Sequence, residues 1–216
     1  MGNMETERRG FSRRDFLKTS GAVAAGLVAV MAAGGSPIAN GRAYAMNLLQ
    51  GASDLDILNF ALTLEHLEAT FYKWVVSGKY ARLSGDSLVV ATAVRDHEIA
   101  HVDFLTKAIK AAGGKPVGPL SNYKFEAVGD TSSAAGILKI AETLEGVGVG
   151  AYTGAAHLIK NADYLFAAAQ IEQVEARHHG AFRWFNDINP AGGYQDFLGP
   201  SYDVPTVKKQ IAPIIS

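Results

Sequence analysis

Two short stretches carry the residue types that could do chemistry, Glu98-Ile99-Ala100-His101 and Glu175-Ala176-Arg177-His178. Residues three apart on a helix share a face, so each stretch presents a carboxylate and an imidazole close enough to hold one metal ion between them. Two further glutamates, Glu65 and Glu145, are each followed seven residues later by a tyrosine, Tyr72 and Tyr152. Seven residues are nearly two helical turns, so each tyrosine returns to its glutamate's face. There its hydroxyl could donate to a ligand of the opposite hairpin, as residues that orient metal ligands commonly do. In chain order the pattern reads Glu/Tyr, Glu/His, Glu/Tyr, Glu/His. Eight glutamates and six histidines lie in residues 46–216. Random placement gives about 0.3 Glu-x-x-His matches, and two are present, so coincidence explains the pattern poorly.

The candidate metal ligands are therefore Glu65, Glu98, His101, Glu145, Glu175 and His178, with Tyr72 and Tyr152 as hydrogen-bonding supports. Glu65 lies among Leu62, Leu64 and Leu67, and Glu145 among Leu144, Val147 and Val149. Burying such carboxylates alone costs on the order of several kcal/mol each, and a metal would offset it. The chain has no cysteine, which removes disulfides, zinc-thiolate sites, iron-sulfur clusters and thiol nucleophiles. Carboxylate and imidazole donors suit iron, manganese or zinc rather than copper(I). A competing reading has no metal and pairs the glutamates with Arg95, Arg177 and Arg183. Among the neighbours, His66, His97 and His179 adjoin candidates but point away, toward surface or rim positions. His157 lies more than three turns beyond Glu145. Glu68, Glu142 and Glu172 each sit three residues from a stronger candidate, and Glu172 is retained as a possible extra ligand.

Four helices must position these groups. Leu55, Leu58, Leu62, Leu67, Phe71 and Trp74 recur at helical steps and predict a helix over 54–77, with Ser53 or Asp54 as cap. Leu88, Val94, Ile99, Val102, Leu105 and Ile109 predict a second over about 86–112, stopped by Gly113-Gly114. A third is expected over about 132–160 and a fourth from the break at Asn161-Ala162-Asp163 to about 187. Each of the four glutamates falls near the middle of its helix, and antiparallel packing brings mid-helix positions to one level. The links within each pair are short, giving antiparallel hairpins. Helices of about 26 residues are roughly 39 Å long. The connection over 113–131 spans up to roughly 60 Å when extended, enough to cross the bundle from end to end. The expected fold is all-α: two antiparallel hairpins joined by a long crossover, over 46–187. Residues 188–216 hold Pro190, Pro200, Pro205 and Pro213 and are expected to form an irregular tail packed on the bundle.

The first 45 residues read as a leader. Ser12-Arg13-Arg14-Asp15-Phe16-Leu17-Lys18 precedes an apolar run over 21–33, and Ala43-Tyr44-Ala45 follows as a cleavage signal. This resembles a twin-arginine export signal at every position of its pattern. The run is short of the roughly 20 residues of a spanning helix, so no stable membrane anchor is expected. Cleavage after Ala45 leaves 171 residues with a net charge of −4, which suits neither nucleic acid nor an anionic membrane. The resemblance implies passage through the twin-arginine translocase in a folded state, often with metal already loaded, and a periplasmic or extracellular location.

The twice-repeated ligand pattern resembles the ferritin-like di-metal carboxylate proteins, whose four-helix bundle is a standard arrangement. The segment from Leu58 to Tyr72, Leu-Asn-Phe-Ala-Leu-Thr-Leu-Glu-His-Leu-Glu-Ala-Thr-Phe-Tyr, is similar to the first helix of exported ferritin-like domain proteins that include desiccation-associated members. The resemblance covers about 54–187. It implies Glu65 and Glu145 as terminal ligands, Glu98 and Glu175 as bridging ones, and His101 and His178 as one ligand per metal. The cofactor implied is a pair of metal ions, iron first and manganese as the alternative. Gly146-Val147-Gly148-Val149-Gly150 lowers helix propensity but lets a neighbour approach closely. With the Pro-rich tail, it argues against a storage cage.

Two functional expectations follow. The first is a di-iron or di-manganese oxidase, peroxidase or catalase-like protein whose substrate is dioxygen, peroxide or ferrous ion, serving oxidative or desiccation stress. The second is a non-catalytic protective protein in which the metal site is structural or vestigial. The bundle leaves room for a homodimer, but no stripe specifies one.

Overall fold

The computed structural model describes residues 52–192 and 199–215. The twin-arginine stretch, the cleavage signal and residues 193–198 lie outside the described residues. The described chain is helical, with α1 (Asp54–Ser77), α2 (Gly85–Ala111), α3 (Ala134–Ala156), α4 (Ala162–Phe185) and α5 (Val204–Ile215), plus a 3-10 turn at Phe125–Ala127. No strand occurs among the described residues.

Local chemistry sets the helix ends. Ser53 caps α1 in a reciprocal box: its Oγ accepts from Asp56 N–H at 3.3 Å, while Asp56 Oδ2 accepts from Ser53 N–H at 2.8 Å. Asp54 instead accepts from the backbone N–H groups of Lys160 and Asn161 at 2.9 and 2.8 Å, tying the start of α1 to the α3–α4 turn. Gly78 ends α1 with φ 76°, a left-handed conformation that glycine adopts without steric penalty. Ser133 and Asn161 cap α3 and α4 without the reciprocal bond, Ser133 accepting from Gly136 N–H and Asn161 from Asp163 and Tyr164 N–H.

α1 packs along α2 and α3 along α4, as two antiparallel hairpins. The hairpins meet more lightly through α1 against α3 and α2 against α4. Two apolar clusters fill the interior. One gathers Phe71, Tyr72, Phe125, Ile140 and Phe182, and the other Leu58, Leu62, Leu105, Ile109, Tyr152 and Ile171. The crossover contributes to the first cluster, because its 3-10 turn inserts Phe125 beside Phe71 at 5.1 Å between ring centroids.

The C-terminal region departs from the irregular tail expected of it. Val204–Ile215 is a helix whose Val207, Ile211 and Ile214, spaced by four and three, are buried in the first cluster. Proline count misled here. Pro205 occupies the first turn, where a backbone N–H has no intrahelical partner in any case, and Pro213 falls in the last turn, beyond which little helix remains to disrupt. Lys124 N–H donates to Ile214 C=O at 2.8 Å, joining α5 to the crossover. Of the α3 glycines, Gly146 and Gly148 face side chains of neighbouring helices as expected, whereas Gly150 and Gly154 meet the C-terminal segment. Tyr202 N–H donates to Gly150 C=O at 2.8 Å, and a Cβ on Gly154 would lie 1.9 Å from Tyr202 O.

Gly154→Ala is therefore expected to destabilise the protein by about 1–3 kcal/mol, because backbone must move to admit one methyl. Gly180→Ala, inside α4 with nothing nearer its Cβ than Pro190 at 3.9 Å, is expected to stabilise by roughly 0.4–1 kcal/mol. Urea denaturation of the two variants is expected to give opposite shifts in midpoint, and equal shifts would contradict a steric role for the close approach of the C-terminal segment.

Candidate metal centre

Each apolar cluster ends in a tyrosine whose hydroxyl reaches across to the other hairpin. Tyr72 of α1 donates to Glu145 Oε1 of α3, and Tyr152 of α3 donates to Glu65 Oε1 of α1. Between these two bonds lies a layer of carboxylates contributed by all four helices. Glu65, Glu98, Glu145 and Glu175 are all fully buried.

The layer contains two groups of possible metal-holding side chains: Glu65, Glu98, His101 and Glu175, and Glu98, Glu145, Glu175 and His178. Within each, one donor atom per residue lies within 4.8 Å of every other. Glu98 and Glu175 belong to both. His101 Nδ1 faces Glu65 Oε2 at 3.2 Å, Glu98 Oε2 at 3.1 Å and Glu175 Oε1 at 3.2 Å. His178 Nδ1 faces Glu98 Oε1 at 3.0 Å and Glu145 Oε2 at 3.1 Å.

Proximity does not satisfy every oxygen. Glu98 Oε1 and both oxygens of Glu175 are buried without a hydrogen-bond partner, although imidazole nitrogens lie 3.0 and 3.2 Å from Glu98 Oε1 and Glu175 Oε1. Those approaches lack hydrogen-bond direction, so geometry outweighs distance here. Nor do strong bases compensate. Among the described residues, Arg95 pairs with Asp96, Lys107 with Asp103, and Arg183 donates to Asn189 C=O. Arg177 is exposed. The pairing of these glutamates with arginines, weighed from sequence, is absent.

Burial, then the charge of Glu175, pushes the Glu98 carboxyl up to about 8 despite the hydrogen bond with His101 and the nearness of His178. Burial raises Glu145, and burial with the charge of Glu145 raises Glu175 well above the carboxylate range. The histidines move oppositely to the usual effect of burial. Burial lowers them, but surrounding carboxylates dominate and carry His101 to about 12 and His178 to about 10. Tyr72 and Tyr152 are pushed up by burial and by the adjacent carboxylates, so both stay protonated as donors.

Of the other residues considered from sequence, His66 Nε2 bonds Val117 C=O at 3.2 Å, and His179 faces Glu142 at 3.4 Å on the outer side of α3 and α4. His157 stands at the C-terminal cap of α3, and Glu172 is half-buried and in neither group. Two residues were undervalued. Glu68 is 3% exposed, and burial with the charge of Glu175 raises it well above the carboxylate range. A Cβ on Gly148 would lie 3.0 Å from Glu175 Oε2 and 3.2 Å from Glu68 Oε1, so the missing side chain leaves both carboxylates their room. The same three-residue rule that linked Glu98 to His101 would have placed Glu68 beside Glu65. The other is His97, assigned to the rim. Its Nδ1 lies 2.9 Å from His178 Nε2. That contact crosses between α2 and α4, and no spacing within one helix signals it.

The sequence matches the family described as Ferritin-like domain over residues 53–186. The chain belongs to that ferritin-like family. Residues 10–30 match the twin-arginine translocation pathway signal sequence, so this ferritin-like protein is exported across the membrane. No described helix is long and apolar enough to cross a membrane. A solved structure titled as a conserved hypothetical protein, rv2844, from Mycobacterium tuberculosis is similar in fold, with a TM-score of 0.55 and 20% identity over 62% of this chain and 98% of that one. No curated protein matches. The buried Glu/His groups of this ferritin-like bundle could hold metal ions, and the orphaned oxygens of Glu98 and Glu175 and the space beside Gly148 fit such an occupant.

Tyr72→Phe or Tyr152→Phe leaves a buried carboxylate oxygen without its donor and should destabilise by about 1–3 kcal/mol in urea denaturation. For chelator-treated protein the pH dependence has a definite sign. Glu98 binds its proton more tightly folded, about 8 against an ordinary 4.5, so that contribution is fully present below 4.5 and is lost as pH rises through 8. His101 and His178, raised to about 12 and 10, act in the same direction above 6.5. The melting temperature of that protein should fall between about pH 5 and about pH 9. A flat or rising profile in calorimetry would contradict the assignment of these protons.

Proposed function

We propose that this exported ferritin-like protein holds two metal ions, iron or manganese, at the carboxylate layer and reacts with dioxygen, peroxide or ferrous ion. The supporting observation is the set of three buried, partnerless oxygens on Glu98 and Glu175, the two residues common to both groups. Lone pairs there have no protein donor, and cations use them directly. Under this reading Glu65 with His101 serves one ion, Glu145 with His178 the other, and Glu98 with Glu175 both.

Bound iron or manganese would supply paired one-electron changes to a small oxidant. The chain's own residues do the rest. Tyr152 and Tyr72, held protonated, fix one oxygen of Glu65 and Glu145 and leave the other to turn inward. The flanking apolar clusters exclude water. The cavity beside Tyr152, lined by Leu58, Leu64, Leu105, Ala155 and Ala168, is only about 30 Å³, and none of the six Glu and His residues lines it. Export and a role in oxidative or desiccation stress suit such a reaction.

A second reading rests on the lighter packing between hairpins than within them. Metal at a layer drawn from all four helices would join the hairpins at mid-height, and the protein would protect without turning over.

Elemental analysis of exported protein, purified without added metal, should find about two equivalents of iron or manganese per chain. Glu98→Gln and Glu175→Gln should each remove at least one equivalent and abolish consumption of peroxide or oxidation of ferrous ion. Loss of thermal stability with no oxidant consumption even in the unaltered protein would select the structural reading. Metal near zero in folded protein would sink both.

A further inference from the structure

The two Glu-x-x-His stretches of the carboxylate layer differ at the residue that precedes the glutamate. Glu98 is preceded by His97, whereas Glu175, its counterpart in the repeated pattern, is preceded by Val174. His97 Nδ1 lies 2.9 Å from His178 Nε2, with the ring planes within 10° and centroids 5.2 Å apart. That centroid separation is about the longest that two imidazoles with nitrogens 2.9 Å apart can reach. The nitrogens therefore lie on the line between the rings, and the bond runs in the plane of both rather than through a face-to-face stack. His101 Nε2 has no corresponding partner among the described residues, and valine could supply none. The His101 side chain is also the more accessible, 11% against 6% for His178.

Resting on the metal reading above, we propose that His97 is a positioning residue for His178 and makes the two metal positions unequal, the ion beside His178 held tightly and the ion beside His101 exchangeable. The tautomer follows from the nitrogens. His178 Nδ1 faces the carboxylates, so as a neutral ligand it offers the Nδ1 lone pair inward and carries its hydrogen on Nε2. That hydrogen is donated to His97 Nδ1, and the hydrogen of His97 sits on its own Nε2. Such a bond fixes ring orientation and raises the basicity of the ligand, and its loss typically lowers metal affinity roughly 10–100-fold. His101 has no such acceptor and gains neither effect.

The test is stepwise removal of manganese(II) by a competing chelator, following free manganese by its electron paramagnetic resonance signal. The unaltered protein should release two equivalents in two steps, the second resisting at least about tenfold more chelator. In His97→Ala the resistant step should move roughly 10–100-fold toward the first, with the first unchanged. His97→Gln, whose amide oxygen can accept the same hydrogen, should restore part of the difference, while His66→Ala should shift neither step. Circular dichroism and melting curves establish that each variant is folded. If both steps shift equally in His97→Ala, or neither moves, or the glutamine gives no recovery, the assignment to His97 is overturned while two bound metals still uphold the site. If the unaltered protein holds no manganese or iron, the reading beneath it falls instead.

Discussion

Five carboxylates, those of Glu65, Glu68, Glu98, Glu145 and Glu175, are buried at one level of a four-helix bundle with no lysine or arginine among their ion pairs. Leaving one buried charge uncompensated is worth about 3–5 kcal/mol, and a domain of this size has only about 5–15 kcal/mol of stability in total. The layer cannot be ionised and empty of positive charge. Every other feature of the interior accommodates that constraint: two imidazoles turn Nδ1 inward, two tyrosines cap the outer oxygens, and the carboxyls retain protons when nothing else balances them.

The repeat in the sequence makes this arrangement economical to build. Each hairpin brings one Glu/Tyr helix and one Glu/His helix, and each tyrosine bonds the glutamate of the other hairpin rather than its own. The cross-links join α1 to α3, across a seam packed more lightly than the inside of either hairpin, so polar bonds supplement apolar contact there. Glycine at 148 keeps the space beside Glu68 and Glu175 open, while Gly150 and Gly154 admit Tyr202 on the other side of the same helix. One small-residue stretch of α3 thus serves the carboxylate layer and anchors the C-terminal segment that closes the first apolar cluster.

Helical periodicity and the caps made the four long helices legible, with ends displaced by only a few residues, because apolar stripes and Ser/Asn caps act within a single turn. That the six Glu and His side chains come together was legible for the same reason, since spacings of three and seven fix a shared face. Glu68 was available to that rule but was discounted as a neighbour of Glu65. His97 was beyond it: its partner is on another helix, and the angle at which α2 meets α4 decides whether a residue one step from Glu98 reaches solvent or His178. α5 was hidden by Pro205 and Pro213, whose positions near the helix ends matter more than their number.

Protons and cations both neutralise the layer, but they do not satisfy it equally. A proton on Glu175 would remove its charge and create an O–H that needs an acceptor, and the second oxygen would still lack a donor. Both oxygens of Glu175 and one of Glu98 are without partners, and these are the two residues common to both groups, Glu98 facing both histidines and Glu175 facing His101. Cations placed between them take up lone pairs on several residues at once, without a new donor to satisfy, and the histidines then present Nδ1 as an acceptor rather than as an N–H. The metal-free state can hold its charge balance with protons; its hydrogen bonding stays incomplete at the centre. That shortfall, more than the number of acidic residues, is the physical reason for reading the layer as a cation site.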